Sequence, residues 1–116
     1  MAGIKVKLLP EVPNICNQIL REVWKSEDVS VAYVEMPPGN ISLLHQHSTF
    51  TELYYILDGK GTMWVGDEEF LVDEDTLVGV KPGVSHKLEN TGGSILRHLV
   101  VSSPAFNPDD VELIDE

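Results

Sequence analysis

The chain has 116 residues, 42% of them hydrophobic, which is enough for one domain with its own core. Its 19 acidic and 8 basic residues give a formal net charge of −11; such a surface repels nucleic-acid phosphates and anionic lipids, so we expect no nucleic-acid partner and no membrane partner. Cys16 is the only cysteine, which excludes an internal disulfide and a CxxC zinc or redox site.

The N-terminal residues do not have the character of a targeting segment. Residues 1–10 contain only short apolar stretches interrupted by Lys5 and Lys7, unlike the continuous apolar region of a secretory signal. No apolar run in the sequence approaches the ~20 residues that cross a bilayer. We therefore expect a soluble, cytoplasmic protein.

Taken in chain order, short β-rich runs alternate with turns rich in Gly, Pro and Asn. Residues 15–24 are the only candidate for a helical period, and they suit a strand as well. The runs that follow predict strands at residues 29–36, 41–47, 52–57, 62–65, 69–72, 76–80, 85–90 and 95–101. Many short strands at close intervals are typical of a β-sandwich or barrel, so we predict an all-β, single-domain fold. The acidic clusters at residues 67–75 and 109–116 are interpreted as solvated loops.

The strand predicted at residues 52–57 indicates a second subunit. Side chains alternate between the two faces of a strand, and the faces here carry Glu52, Tyr54 and Ile56, and Leu53, Tyr55 and Leu57. Both faces are largely apolar, yet a lone barrel buries only its inner face. The outer face therefore needs a cover, either the N-terminal segment or a second copy of the chain, and we expect a homodimer.

Three histidines and one glutamate form a candidate metal site. His45 and His47 lie two residues apart on a predicted strand, so their rings leave the same face, and Glu52 and His86 are assigned to inward faces. Three imidazoles and a carboxylate favour Mn, Fe, Co, Ni, Cu or Zn over Ca or Mg, which prefer oxygen ligands. We therefore predict one divalent transition metal per chain, with open coordination positions for water or substrate.

The spacing of these residues resembles the two sequence motifs of the cupin family. The first motif is matched without departure by Gly39, five residues, His45-Gln46-His47, four residues, Glu52, six residues and Gly59. In the second motif, Gly83, His86 and Asn90 keep the family spacing, whereas Lys81 stands at a family proline and Asp75 at the leading glycine. Both departures fall at turn positions that bind no metal.

The resemblance covers residues 29–101, and the chain is similar to small single-domain cupins. It implies a double-stranded β-helix, or jelly-roll barrel, within one domain at residues 1–116. Residues 1–28 would then form an N-terminal strand segment, and residues 102–116 a short acidic tail. The resemblance also implies that the metal ligands are His45, His47, Glu52 and His86.

Three further residues are candidates for catalysis or ligand contact. Tyr54 is predicted to face inward two residues after Glu52, close enough to touch a bound ligand. On the last predicted strand either His98 or Arg97 faces the interior, and periodicity does not choose between them. His98 would act as an acid–base group or support the metal site, whereas Arg97 would grip an anionic substrate.

Three classes of function fit these residues. The first is a metal-dependent enzyme that acts on a small organic molecule as a dioxygenase, isomerase, lyase or decarboxylase. The second is a non-catalytic module that binds a small molecule such as a sugar or carboxylate, and the third is a purely structural metal. We favour the enzyme, and the fold does not select its reaction.

Overall fold

The computed structural model describes residues 3–116, which form two five-stranded antiparallel sheets. The strands are β1 (Ile19–Lys25), β2 (Ser30–Met36), β3 (His45–Gln46), β4 (Thr51–Asp58), β5 (Lys60–Val65), β6 (Glu68–Asp73), β7 (Leu77–Val80), β8 (His86–Glu89), β9 (Leu96–Ser103) and β10 (Glu112–Leu113). One sheet has the order β1-β2-β9-β4-β7 and the other β10-β3-β8-β5-β6. The predicted all-β jelly roll is thereby confirmed.

Helix is almost absent from the part of the chain that the structure describes. A single 3-10 turn at Val6–Leu8 is the one helical element there. None of the described residues belongs to a helix long and apolar enough to cross a membrane.

The two sheets enclose one hydrophobic core. Its buried members come from both sheets and are Val34, Met36, Tyr54, Ile56, Met63, Val72, Val78, Val80, Leu88 and Leu96. The alternation of side chains selects them: Tyr54 and Ile56 share the inward face of β4 with Glu52, as predicted. Each fully buried side chain of this size contributes about 1.5–3 kcal/mol relative to an exposed one.

The predicted strand at residues 41–47 is largely irregular. Only His45–Gln46 form a ladder, and Ile41 makes an isolated bridge with Glu89. Between them Ser42 N donates to the Leu88 carbonyl, and the Ser42 hydroxyl accepts from Leu88 N in place of a backbone carbonyl. Because serine side chains compete with backbone groups in this way, the regular ladder begins only at His45.

Two turn positions have a left-handed backbone. Gly59, between β4 and β5, has a φ of 94°, and a Cβ there would lie 2.7 Å from the Ile95 carbonyl oxygen. Asp75, which stands at the cupin motif's glycine, has a φ of 71°. Aspartate enters this region more readily than most residues, and its carboxylate accepts from the Tyr55 hydroxyl. Asp75 thus adopts the backbone for which glycine is the usual choice.

The N-terminal segment does not cover the outer face of β4. Residues 15–24, for which a helix was one alternative, contribute instead to strand β1, which pairs edge to edge with β2. On the outer face of β4, Leu53 stays 37% exposed, and Leu77 on the neighbouring β7 is also exposed. The N-terminal segment is therefore excluded as the cover of this face, which leaves a second copy of the chain. The homodimer stays a prediction.

We predict that Gly59→Ala lowers the free energy of unfolding by roughly 2–4 kcal/mol. The methyl group would both strain the positive φ and collide with backbone atoms of Ile95 and Leu96. Urea denaturation of the purified protein measures the change. Gly93→Ala is the matched control, since a Cβ at Gly93 meets no atom within 4 Å, and its effect should stay within ~1 kcal/mol. Equal effects for both variants would contradict this account of the turn.

We also predict that Leu53→Glu converts a homodimer into a monomer. A carboxylate on each copy would place like charges in an interface from which water is excluded. Light scattering coupled to size-exclusion chromatography gives the mass of the wild type and of the variant. Leu71→Glu is the control, because Leu71 is 80% exposed on β6 of the other sheet. A wild type that is monomeric at every concentration would show the prediction to be wrong.

Candidate metal centre

The four predicted ligands lie together in the interior. The ligand atoms that they offer all lie within 4.8 Å of one another. His86 is fully buried, His47 and Glu52 are buried, and His45 is half-buried. The structure therefore brings together, from positions up to 41 residues apart, a group that could hold one metal ion.

The cluster joins the two sheets. His45 on β3 and His86 on β8 are directly paired residues, and His47 follows β3 at once, so the three imidazoles belong to one sheet. Glu52 lies on β4 of the opposite sheet, and its inward side chain reaches the rings across the interior. The group therefore forms only when the two sheets pack against each other.

Backbone carbonyls set the orientation of all three imidazoles. Nδ1 lies within hydrogen-bond distance of the carbonyl of Leu43 for His45 (2.7 Å), of Asp110 for His47 (2.8 Å) and of Val84 for His86 (3.0 Å). A carbonyl can only accept, so Nδ1 carries the hydrogen in each ring and Nε2 keeps its lone pair for another partner. Metal-ligating histidines are characteristically oriented in this way.

The charges in the cluster call for a cation. Glu52 Oε1 lies 2.9 Å from His86 Nε2 and 3.2 Å from His47 Nε2. Burial alone would raise the pKa of Glu52, but the neighbouring imidazoles lower the pKa to about 2, so the carboxylate is ionised. A neutral imidazole would then turn its lone pair toward an anion unless a proton or a metal ion lies between them. His47 Nε2 is buried and faces the Glu52 carboxylate, and this donor set fits a divalent transition metal.

The pKa values of His45 and His47 are shifted in opposite directions. Burial lowers the pKa of His45, so this imidazole is neutral at pH 7 and its lone pair is available. Burial also opposes the charged form of His47, but the Glu52 carboxylate and the Asp110 carbonyl outweigh it and raise the pKa of His47. In the absence of a metal, His47 is therefore one of the groups that share a proton with Glu52.

A cavity of about 420 Å³ opens beside the cluster. His45, His47 and Glu52 line it, together with inward side chains of β1, β2 and β9 and parts of the N- and C-terminal segments. His86 does not line the cavity and is fully buried. The volume lies in the ~300–1,000 Å³ range of small-molecule sites, so a ligand of moderate size can approach three of the four side chains.

The structure resolves which residue of β9 faces the interior. His98 is buried, lines the cavity, and stacks on Tyr54 with ring centroids 5.6 Å apart. Burial lowers the pKa of His98 to about 4, and its Nδ1 has no hydrogen-bond partner. Arg97 lies on the other face, where its Nε donates to the Tyr33 hydroxyl at 2.7 Å. Of the two alternatives, His98 is the cavity residue.

Tyr54 also contacts the cluster. Its hydroxyl lies 3.5 Å from Glu52 Oε1, and its side chain lines the cavity. Burial raises the pKa of Tyr54 well above its usual value, so the phenol keeps its proton. The inward orientation predicted from strand alternation is confirmed for this residue.

Comparison with known families agrees with this arrangement. Residues 32–102 match the model of the family described as the cupin domain. The match covers more than half of the chain and includes all four clustered side chains. The chain belongs to the cupin family.

Relatives of this cupin are known from sequence and from structure. It is 36% identical over 93 residues to an uncharacterized protein of Methanocaldococcus jannaschii, over 80% of this chain and 74% of that protein. It is 34% identical over 70 residues to an oxalate-binding protein of Thermotoga maritima, over 60% of this chain and 58% of that protein. A solved protein from Klebsiella pneumoniae with a double-stranded β-helix domain aligns with a TM-score of 0.82 and 18% identity, over 100% of this chain and 99% of that one; this likeness shows the fold alone.

Asp110 supports the cupin site from a segment that sequence analysis interpreted as solvated. Its carbonyl orients His47, as described, and its carboxylate accepts from the backbone N–H groups of Ser48 and Thr49 at 2.9–3.1 Å. Beyond it, β10 pairs with β3. The interpretation of residues 109–116 as a solvated loop is therefore wrong at Asp110 and at β10, whereas the other acidic side chains of this segment are exposed as predicted. Asp110 and His47 are 63 residues apart in the chain, and no local sequence pattern predicts the contact between them.

Sequence analysis also missed three side chains that pack around the ligands. Phe50 stacks on His47 with ring centroids 4.4 Å apart, and Phe106 meets the same ring edge-on at 5.9 Å. The Ser102 hydroxyl lies 3.5 Å from Glu52 Oε2. A phenylalanine or serine that lies outside a motif has no sequence pattern to show whether it contacts a metal ligand or only packs in the core.

We predict that the wild type binds close to one transition metal per chain and that His47→Ala binds metal far more weakly. Loss of a direct ligand should lower the affinity by more than the ~10–100-fold typical of losing a group that only orients a ligand. Metal content after dialysis, determined by mass spectrometry, checks this. His98→Gln, which alters a cavity residue outside the cluster, should retain the metal. Equal occupancy in the wild type and His47→Ala would contradict the site.

We predict that His98 makes the metal-free protein less stable in acid. Its pKa is about 4 in the folded protein against ~6.5 in an unfolded chain, so between these values only the unfolded chain takes up the proton. Stability therefore falls as the pH drops from about 7 to 4, by up to ~3 kcal/mol from this residue. Urea denaturation with a chelator present, compared between wild type and His98→Gln, isolates the contribution. Parallel pH profiles for the two proteins would refute it.

Proposed function

We propose that this cupin is a metal-dependent enzyme that acts on a small organic molecule by oxidation, isomerisation, elimination or decarboxylation. The observation that carries the proposal is a four-ligand cluster that borders an accessible cavity rather than closed core. A Mn, Fe, Ni, Zn, Co or Cu ion held by His45, His47, Glu52 and His86 would supply Lewis-acid or redox chemistry, with coordination positions left for substrate.

Two cavity residues are suited to handle protons. Tyr54 keeps its phenolic proton because burial raises its pKa, so the hydroxyl can donate a hydrogen bond to a substrate oxygen near Glu52. His98 is neutral at pH 7 because burial lowers its pKa to about 4, so it can accept a hydrogen bond or a proton from a bound molecule. Arg97 points away from the cavity, and we assign it no part in the reaction.

The alternative function is binding without turnover. One relative is named as an oxalate-binding protein, and a cavity beside a metal ion would serve capture of a carboxylate or a sugar equally well. A phenolic donor such as Tyr54 serves binding and catalysis alike, but binding alone does not require a group that can take up a proton. The neutral imidazole of His98 in the cavity wall supplies such a group, and it favours the enzyme.

The test loads metal-free protein separately with Fe(II), Mn(II), Co(II), Ni(II), Cu(II) and Zn(II). Each form is incubated with a panel of diketones, phenols, thiols, sugars and oxalate, while oxygen uptake and product masses are recorded. Oxygen uptake by the Fe(II) form identifies a dioxygenase, and a product without oxygen uptake identifies an isomerase, lyase or decarboxylase. Tyr54→Phe and His98→Gln should lower kcat while metal content is retained, and Leu71→Ser, far from the cavity, should not.

Two results would overturn the proposal. If ligands bind to every metal form and none is converted, the cupin is a binding module. If azide leaves the visible spectrum of the Co(II) form unchanged and chelation sharply lowers the Tm, the metal is closed off and has a structural role.

A further inference from the structure

The cavity beside the metal cluster has mainly apolar walls. Ala32 and Val34 of β2 and Leu20 of β1 line one part. The N-terminal segment adds Val12 and Ile15, and the C-terminal segment adds further apolar side chains. A ligand that reaches the metal therefore has most of its body against hydrocarbon, and burial of its apolar surface favours binding.

The rim of the cavity exposes large apolar side chains to water. Five such exposed residues also line the cavity, namely Val12, Ile15, Leu43, Phe106 and Leu113. Ile15 alone is 70% exposed. Exposed apolar side chains around a concave site favour ligand binding, and His45 and His47 line this same cavity. The rim and the walls therefore point to the same kind of ligand.

Apart from the metal ion, which would itself attract one anionic head, the cavity has few positive side chains to pair with a second negative charge. Both arginines are engaged elsewhere, Arg21 with the Leu9 carbonyl and Arg97 with the Tyr33 hydroxyl. Among the described residues that line the cavity, Lys25 is the one lysine, and Glu22 on the same strand offsets its charge. Carboxylates in proteins are usually gripped by arginine forks, and the net charge of −11 repels anions further.

We propose that the ligand of this site is a neutral or singly charged molecule with an oxygen-chelating head and an apolar body of several carbons. The head would reach the metal at His45, His47 and Glu52, and the body would lie between β2 and the N-terminal segment. Oxalate has the head without the body, and it fills a small part of the ~420 Å³ available. The inference rests on the proposed function, because it needs the metal to be present.

The test compares ligands that share one head. Acetohydroxamate and hexanohydroxamate chelate a metal through the same two oxygens and differ only in the length of the alkyl chain. Each is titrated into the Co(II)-loaded protein while the visible spectrum of the metal reports binding, and oxalate is titrated in parallel. Hexanohydroxamate should bind at least ~10-fold more tightly than acetohydroxamate, and oxalate more weakly than hexanohydroxamate.

Variants locate the apolar body. Ala32→Leu fills the cavity wall with hydrocarbon, and it should remove most of the preference for hexanohydroxamate while acetohydroxamate binding stays unchanged. Ile15→Ser, at an exposed position that does not endanger folding, should weaken hexanohydroxamate alone, by about threefold. Leu71→Ser is its matched control, since Leu71 is 80% exposed and lies outside the cavity. It should leave both affinities unchanged.

The possible failures are distinguishable. If both hydroxamates bind equally, or if oxalate binds most tightly, the apolar body is refuted while the metal site stands. If Ile15→Ser and Leu71→Ser have the same effect, the body does not lie in this cavity, and the inference also fails. If no Co(II) is bound, the proposed function and the inference fail together.

Discussion

The rest of the structure depends on a buried carboxylate that faces imidazole lone pairs. An ionised glutamate inside a protein is costly unless a positive charge accompanies it. The backbone carbonyls at Leu43, Val84 and Asp110 accept the Nδ1 hydrogens, and the free Nε2 atoms of His47 and His86 face Glu52 directly. A proton or a divalent cation between the carboxylate and the imidazole nitrogens relieves the repulsion between them. This arrangement also couples the two sheets, because Glu52 lies on one and the histidines on the other.

The interior of the barrel is divided between packing and binding. Ile56, Met63 and Leu96 belong to a core that is closed to water, whereas the cavity side is left open and is walled by both ends of the chain. The N-terminal segment contributes apolar surface there, and Asp110 ties the C-terminal segment to His47 and the loop after it. Segments outside the barrel strands are thus part of the site rather than appendages to it.

The cavity combines little fixed charge with two groups that can exchange hydrogen bonds. Tyr54 and His98 stack on each other beside Glu52, and burial keeps both of them uncharged at neutral pH. Apart from the metal cluster, discrimination between ligands must then come from shape and apolar contact rather than from ion pairing. This agrees with a surface so acidic that it disfavours anions in general.

Much of the fold could be predicted because it depends on local regularities. Alternation along β4 and β8 assigned Glu52, Tyr54 and His86 to the interior, and turn residues separated the strands. The prediction fails where a side chain replaces a backbone hydrogen-bond partner, as the Ser42 hydroxyl does for Leu88 N. Of the strand predicted at residues 41–47, only His45–Gln46 form a ladder. The spacing of His45, His47, Glu52 and His86 indicated the metal cluster, since ligand types at fixed separations are a property of the sequence.

By itself, the sequence determined the fold class, the family resemblance and the four candidate ligands, because periodicity, turn chemistry and motif spacing are written along the chain. Only the tertiary structure decided that His98 rather than Arg97 faces the cavity, that the N-terminal segment extends a sheet edge instead of covering β4, and that Asp110 orients His47. These outcomes depend on contacts between residues far apart in the chain. Each follows from the surfaces that the two packed sheets leave exposed, and the local sequence pattern does not predict those surfaces.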